Sequence, residues 1–331
     1  MTIQAQPKLM RVFAVSAIVA FSLALSVTQN FAQELTLRLS HPQPKESARG
    51  YGAEFFARRM SELTNGKVKV EVFPDAELGS EAKTLAGMQT GSIDFGIISE
   101  WTNVVKAGRV FDLPFLFRDF DHWKAAVEGA PGQMAADAAK GTGVKVMGYW
   151  ISGWRNIYGS KAIKESKDLA GVKIRTQPIA SYVDLFKAVK AIPTPIAWGE
   201  TYLALQQGTV DIAESAFEAM YNAKQYEVAK FASNSRHAIS TAAFLISESR
   251  WASLPENIQR AVVTAQKEAN EAQAKKFSEN DTAVIGKLAA AGVKFSEFNS
   301  GEMHKIAVDQ VYPKVVVEEL DKKILAEIQK L

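Results

Sequence analysis

Leu35, Leu37 and Leu39 alternate with polar residues up to Ser40-His41-Pro42, which predicts a half-buried strand. A loop with Pro44 and Ser47 follows. Tyr51, Phe55, Phe56, Met60 and Leu63 then recur at helical spacing, and Gly66 stands where such a helix stops. Val68, Val70 and Val72 alternate with charges as a second strand, closed by Phe73-Pro74. Ser80 is placed to cap a helix running to Gln89, and after Gly91 the run from Ile93 to Ser99 predicts a third strand. Strands and helices in strict alternation point to an α/β fold with a mostly parallel sheet.

The second half repeats the pattern. Val144 to Tyr149 and Gly171 to Arg175 read as short strands, with helices over Ala180 to Val189, Gly199 to Gln207 and Phe217 to Glu227. His237 to Ile246 is long and apolar enough to cross from one domain to another. A helical pattern opens at Leu254-Pro-Glu and runs towards Ala291, with Ser278 to Thr282 as a possible break. Val311 to Leu331 closes the chain as a helical stretch. Gln89-Thr-Gly-Ser-Ile-Asp-Phe-Gly and Gln206-Gln-Gly-Thr-Val-Asp-Ile-Ala share one order: helix end, glycine stop, hydroxyl, β-branched residue, aspartate, strand. This short match suggests two similar α/β domains facing one cleft. It sets Glu81 opposite Trp198, and Ile98 opposite Ser215.

A chain of 331 residues with 47% hydrophobic positions is long enough for two such cores. Its start reads differently. Basic Lys8 and Arg11, the apolar run Val12 to Val27, and small and polar residues up to Ala32 have the form of a secretory signal over residues 1–32, with cleavage near Ala32-Gln33. The apolar run is shorter than the roughly 20 residues a membrane-spanning helix needs, and no later stretch is long and apolar enough to cross a bilayer. Removal of Lys8 and Arg11 would lower the formal net charge of +3 by two, a balance that does not call for nucleic acid or another polyanion. Cysteine is absent, which rules out disulfides, thiolate metal sites and a cysteine nucleophile.

Two arginines carry the candidate chemistry. Arg155 lies in Trp150-Ile-Ser-Gly-Trp-Arg-Asn just beyond one predicted strand, and Arg175 lies in Gly171-Val-Lys-Ile-Arg-Thr-Gln-Pro at the end of another. Strand ends of this kind face the crevice where open α/β sheets bind ligands, and a guanidinium fork matches a carboxylate with two parallel hydrogen bonds. The chemistry expected is carboxylate binding. A secreted hydrolase or lyase would need an activated nucleophile or a metal cluster. There is no Gly-x-Ser-x-Gly, no His-Glu-x-x-His and no Cys, and His41, His122, His237 and His304 are scattered. No catalytic residue, metal or cofactor is therefore expected.

Leu113-Pro-Phe-Leu-Phe-Arg-Asp, Gly171-Val-Lys-Ile-Arg and the run from Pro195 to Glu214, with Glu200-Thr-Tyr-Leu-Ala-Leu-Gln-Gln-Gly-Thr-Val-Asp-Ile-Ala-Glu, resemble the DctP family of TRAP-transporter solute-binding proteins. Phe73-Pro-Asp-Ala-Glu-Leu-Gly-Ser-Glu and Gln225-Tyr-Glu-Val-Ala-Lys-Phe add to the resemblance, which runs from about Leu35 to beyond Leu254. It implies a two-lobed periplasmic-binding-protein-like fold with crossing strands and a long connecting helix. Lobe I would hold residues 33–152 and about 241–280, and lobe II residues 153–240 and about 281–331. The family's carboxylate-clamping arginine falls on Arg175, its supporting arginine on Arg155, its aromatic wall on Trp198 and its acidic contact on Glu81. The pocket would extend to Ser99 and Trp101, with His41 as a further candidate. Ser215 departs from the family, which usually has Asn there; a hydroxyl is shorter and lacks the amide's two donors.

The function implied is a periplasmic receptor that closes on an organic acid and hands it to a TRAP membrane permease. Trp198 and Trp101 as flat apolar faces, with Glu81 as acceptor for hydroxyls, suit a sugar acid such as a uronate. An aromatic, aliphatic or dicarboxylate ligand remains open, as does a sensing role for a membrane receptor.

Overall fold

The computed structural model describes residues 35–331, so the expected signal segment 1–32 and its cleavage point lie outside the described residues. One mixed sheet runs through the whole molecule in the order β2-β1-β3-β8-β4-β7-β5-β6, with β9 also paired to β8. Its strands are β1 (Leu35–Ser40), β2 (Val68–Phe73), β3 (Phe95–Ile98), β4 (Val144–Gly159), β5 (Lys173–Thr176), β6 (Ile192–Pro195), β7 (Ile212–Ala216), β8 (Phe231–Ser247) and β9 (Lys294–Glu297). The two halves have the same topology: β2-β1-β3 flanks β8 on one side, and β6-β5-β7 flanks β4 on the other. In each half the first two pairings are parallel and the third, onto a long strand, is antiparallel. The lobes are thus two copies of one template joined by β4 and β8.

The repeated motif explains how each copy closes. Gly91 and Gly208 both take positive φ, 77° and 68°, where a helix ends and the chain turns back; a side chain would be strained there. The aspartates that follow do the same work in both lobes. Asp94 Oδ2 accepts the Arg38 N–H at 2.7 Å and Asp94 N donates to the Arg38 carbonyl. Asp211 Oδ2 accepts the Lys173 N–H at 3.0 Å and Asp211 N donates to the Lys173 carbonyl. Each aspartate therefore pins its strand to its parallel neighbour just before the strand enters the sheet. Asp94→Ala should lower stability in urea or thermal unfolding by about 1–3 kcal/mol, because it also strips Arg250 of its partner. Asp211→Ala, at a more exposed site, should cost less.

Two predicted elements differ from their sequence pattern. β4 does not stop at Tyr149 but continues to Gly159, carried through three register shifts, one of them spanning Ile151 to Trp154. Gly153, at φ +96°, sits in that bulge, where a Cβ would approach Ala216 and Phe277 to about 3 Å. Arg155 is therefore inside the crossing strand, paired with Ala216 and Ala238, not beyond its end. The long helix Glu256–Ala290 shows no break at Ser278 to Thr282.

The helices that position the site are α1 (Ala48–Leu63), α2 (Glu81–Thr90), α3 (Thr201–Gln206), α4 (Phe217–Asn222), α5 (Glu256–Ala290) and α6 (Glu319–Gln329). α5 extends about 50 Å and packs on α1, β4 and α4, so it touches both lobes. Its buried positions, from Ile258, Ala261 and Ala265 to Phe277, Val284 and Leu288, join three hydrophobic clusters. α6, expected with lobe II, buries Ile324 and Ile328 in the cluster holding Phe111 and Trp123, and the Ile328 carbonyl lies 2.9 Å from His122 Nε2. An amphipathic C-terminal helix settles on the apolar face within its reach, and here that face is built from residues 106–112 and 130–137.

Candidate functional site

The cleft lies where β3 and β7, the two strands after the pinning aspartates, end on opposite sides of the crossing strands. A narrow cavity there is lined from lobe I by Gln43, Arg49, Glu81, Ser99 and Glu100 and from the crossing strands by Ser152, Arg155 and Ser240. Lobe II contributes Arg175, Gln177, Trp198, Ser215 and Ala219. Six of the eight residues predicted for the site are among them.

Arg175 stands at the end of β5 with 1% of its surface exposed. Its Nε donates to the Ile196 carbonyl at 2.9 Å, and Nη1 makes a long 3.5 Å contact with the Glu214 carbonyl. Its guanidinium lies 5.5 Å from the centre of the Trp198 ring. Among the described residues no carboxylate pairs with it. Burial, joined by the neighbouring Arg155 charge, lowers its proton affinity from the ordinary arginine value, while Glu214, Tyr158 and Glu100 act the other way. A buried cation without a counter-ion is costly, and the outer edge of this fork is what the cavity offers an anion.

Arg155 is placed differently. Nε and Nη2 bind the Glu214 carboxylate in bidentate fashion; Nη2 also donates to the Glu214 carbonyl at 3.1 Å. Nη1 reaches Gln177 Oε1 at 2.8 Å and Ser240 Oγ at 3.3 Å. All five N–H groups of this guanidinium have acceptors inside the chain. Arg155 therefore lines the cavity as a brace that orients Gln177, while Arg175 keeps donors to spare. Glu214 is fully buried and also accepts the Gln177 backbone N–H at 2.9 Å. Burial alone would raise the proton affinity of Glu214, but the Arg155 charge and a hydrogen bond to His237 outweigh it and bring its pKa to about 2.

Lobe I supplies the opposite wall. Ser80 caps α2, accepting the Lys83 N–H, and so sets Glu81 in the first turn facing the cleft. Glu81 accepts the backbone N–H groups of Ser99 and Glu100 at 2.9 and 3.0 Å and pairs with Arg49 at 3.3 Å. Arg49 in turn donates to Ser99 Oγ and Ser152 Oγ, each at 2.7 Å, tying the end of β3 to the crossing strand β4. The lobes also meet directly. Glu218 Oε1, on α4, accepts the Ala48 N–H at the start of α1 at 2.9 Å, and Asn103 Nδ2 donates to the Pro178 carbonyl at 3.1 Å.

Two predicted residues fall outside the cavity wall. Trp101 has no exposed surface; its Nε1 donates to the Thr241 carbonyl at 3.2 Å and its ring packs on Phe111 and Tyr149. The 3-10 turn Glu100–Asn103 that follows β3 rotates successive side chains, so Glu100 faces the cleft and Trp101 is driven into the core. His41 is also buried, behind Pro42 and Gln43; burial first and the Arg49 charge second lower its pKa to about 3, so the ring is neutral. Conversely, Arg49, Glu100 and Gln177 were not anticipated. Arg49 follows Ser47 at the start of a helix, where a charged residue in a polar loop gives no periodic signal. Among the described residues no group of three or more His, Asp or Glu side chains is arranged to hold a metal ion.

Comparison with known proteins agrees with this geometry. The family model described as bacterial extracellular solute-binding protein, family 7 (DctP) matches residues 39–319. The 2,3-diketo-L-gulonate-binding periplasmic protein of Escherichia coli is 31% identical over 82% of this chain and 84% of its own. A TRAP periplasmic solute-binding protein from a Bradyrhizobium species, solved with galacturonate, superposes with a TM-score of 0.86 at 30% identity, covering 89% of this chain and all of that one. Another from Sulfurospirillum deleyianum, solved with succinate, gives 0.81 at 32% identity over 88% of this chain and 99% of that one. With two mirrored lobes, a crossing-strand hinge and an unpaired arginine fork between them, the chain belongs to the DctP family of TRAP solute-binding receptors.

Proposed function

We propose that the protein is a periplasmic receptor for a sugar acid, a uronate or aldonate, which it carries to a TRAP membrane permease, without a catalytic role of its own. The observation that carries this reading is Arg175: a buried guanidinium with free donors, facing a cavity whose other end is built of hydroxyls and acids. The ligand carboxylate would sit on the Arg175 fork, its sugar face against Trp198, and its far hydroxyls against Ser99 and the Glu81 wall. Galacturonate in the Bradyrhizobium structure and L-galactonate in that of Roseobacter denitrificans, at 30% and 28% identity, support this class. Succinate in the Sulfurospirillum structure favours a dicarboxylate less here, because the end of this cavity opposite Arg175 holds Glu81 and Glu100.

Lobe I is read as residues 35–152, the β8 segment from about 241, the first part of α5 and, given its packing, α6; lobe II holds the remainder. A ligand bridging Arg175 and Glu81 touches both lobes and favours the closed arrangement through differential affinity. A thermal-shift screen of organic acids tests the class. A uronate or aldonate at about 100 times its dissociation constant should stabilise the protein by roughly 2.7 kcal/mol. A shift with C4-dicarboxylates alone would overturn the sugar-acid reading while leaving the receptor standing.

A further inference from the structure

Glu100 is the one acid of the cleft that the chain itself does not use. It is 5% exposed and lines the cavity, yet among the described residues no donor binds its carboxyl oxygens; only its backbone N–H is engaged, by Glu81. Glu81 beside it already accepts from Arg49, from two backbone N–H groups and, at 3.5 Å, from Gln177 Nε2. A carboxyl buried beside another acid, with no donor of its own, favours its protonated form.

Resting on the sugar-acid reading above, we propose that Glu100 is a specificity-determining residue whose protonated carboxyl donates a hydrogen bond to a neutral oxygen of the ligand, so that this end of the cleft selects a hydroxyl and rejects a second carboxylate. A carboxylate placed there would meet the Glu81 charge and no free cation, because Arg49 already donates to Glu81, Ile97, Ser99 and Ser152. A sugar hydroxyl or ring oxygen can accept from Glu100 while its own proton turns to the remaining acceptors.

The charges around Glu100 favour the protonated form near neutrality. Burial first, and the Glu81 charge second, push its carboxyl up to about 8, against the opposing pull of Arg175 and Arg155 across the cleft. Of the other titratable groups on the elements packed around it, Asp112 hydrogen-bonds Thr102 and is itself raised, to about 7, by burial. His237 on β8 is lowered by burial, with the Glu214 contact acting the other way. Lys106 and Arg109 lie on the neighbouring 3-10 stretch.

Calorimetric titration with D-galacturonate, and with galactarate as the same six-carbon chain bearing a second carboxylate, tests this between pH 6 and 9.5. The wild-type protein should bind galacturonate about tenfold more weakly at pH 9 than at pH 7, as the donor ionises. Glu100→Gln, whose amide always donates, should show a flat profile, and galactarate should bind the wild type at least about a hundredfold more weakly than galacturonate. A flat wild-type profile, an unchanged slope in Glu100→Gln, or equal binding of the two acids would overturn the proposal. Carbon NMR of protein labelled only in glutamate side chains reads the same proton without ligand, since Asp112 is then silent. A midpoint near 8 for the resonance lost in Glu100→Gln supports the assignment, and one near the ordinary 4.5 sinks it whether or not any acid binds. Failure of every uronate and aldonate to bind would instead overturn the sugar-acid reading.

Discussion

Replacing Arg175 with alanine should remove measurable sugar-acid binding in calorimetry while the protein still unfolds cooperatively near the wild-type temperature. On this proposal the fork would make two charge-assisted hydrogen bonds to a carboxylate, each contributing about 1.5–3 kcal/mol, so their loss corresponds to at least about two orders of magnitude in affinity. Stability should change far less. The guanidinium has one good internal hydrogen bond, to the Ile196 carbonyl, and carries a burial penalty that no carboxylate of the chain offsets. Arg175→Lys should fall between the two, because an ammonium keeps the charge and loses the planar fork. Ordinary affinity in Arg175→Ala would remove the clamp from the model of this site.

The opposite division is expected at Glu214. Glu214→Ala leaves Arg155 buried without its counter-ion and frees the Gln177 N–H, and breaking a buried pair in this way costs about 3–5 kcal/mol. Against a total stability of about 5–15 kcal/mol, that loss should be plain as a large fall in melting temperature, with binding weakened only as far as Gln177 loses its place. The acid limb provides a second readout. The Glu214 carboxyl is lowered from 4.5 to about 2, so its contribution is complete above pH 4.5 and is lost as the pH falls towards 2. Glu214→Gln should flatten the stability profile across that window and leave the profile from pH 5 to 7 unaltered by this group. A variant as stable as the wild type would show that the pair is not structural.

The contrast between these two arginines marks what the sequence carries and what it does not. Both lie in sequence motifs that invite the same interpretation, and alternating leucines and valines, glycine stops and the Ser80 cap placed the strands and helices around them. Which guanidinium has donors left over depends on the register of β4 against β7, which sets Arg155 beside Ala216, next to Glu214 and Ser215, and that register is a product of bulges. The same applies to Glu100 and Trp101, neighbours in sequence that a 3-10 turn sends to opposite sides. An apolar ring after a strand looks like a cleft wall, and an acid there looks like solvated surface; the turn reverses both. The repeated aspartate motif was readable because the same short run of residues occurs in both halves; the strand each aspartate pins, 56 and 38 residues away in sequence, was not.

That pinning has a consequence for how such receptors diversify. With Asp94 and Asp211 fixing where β3 and β7 begin, a single inserted or deleted residue before the cleft would turn every following side chain to the other face of the sheet. New ligand preferences should therefore arise by exchanging side chains at constant stations, Glu81 and Glu100 in one copy, Trp198 and Ser215 in the other, with segment lengths conserved. Because the two copies are separately anchored, a lineage could alter its reading of the sugar end without disturbing its grip on the acid end.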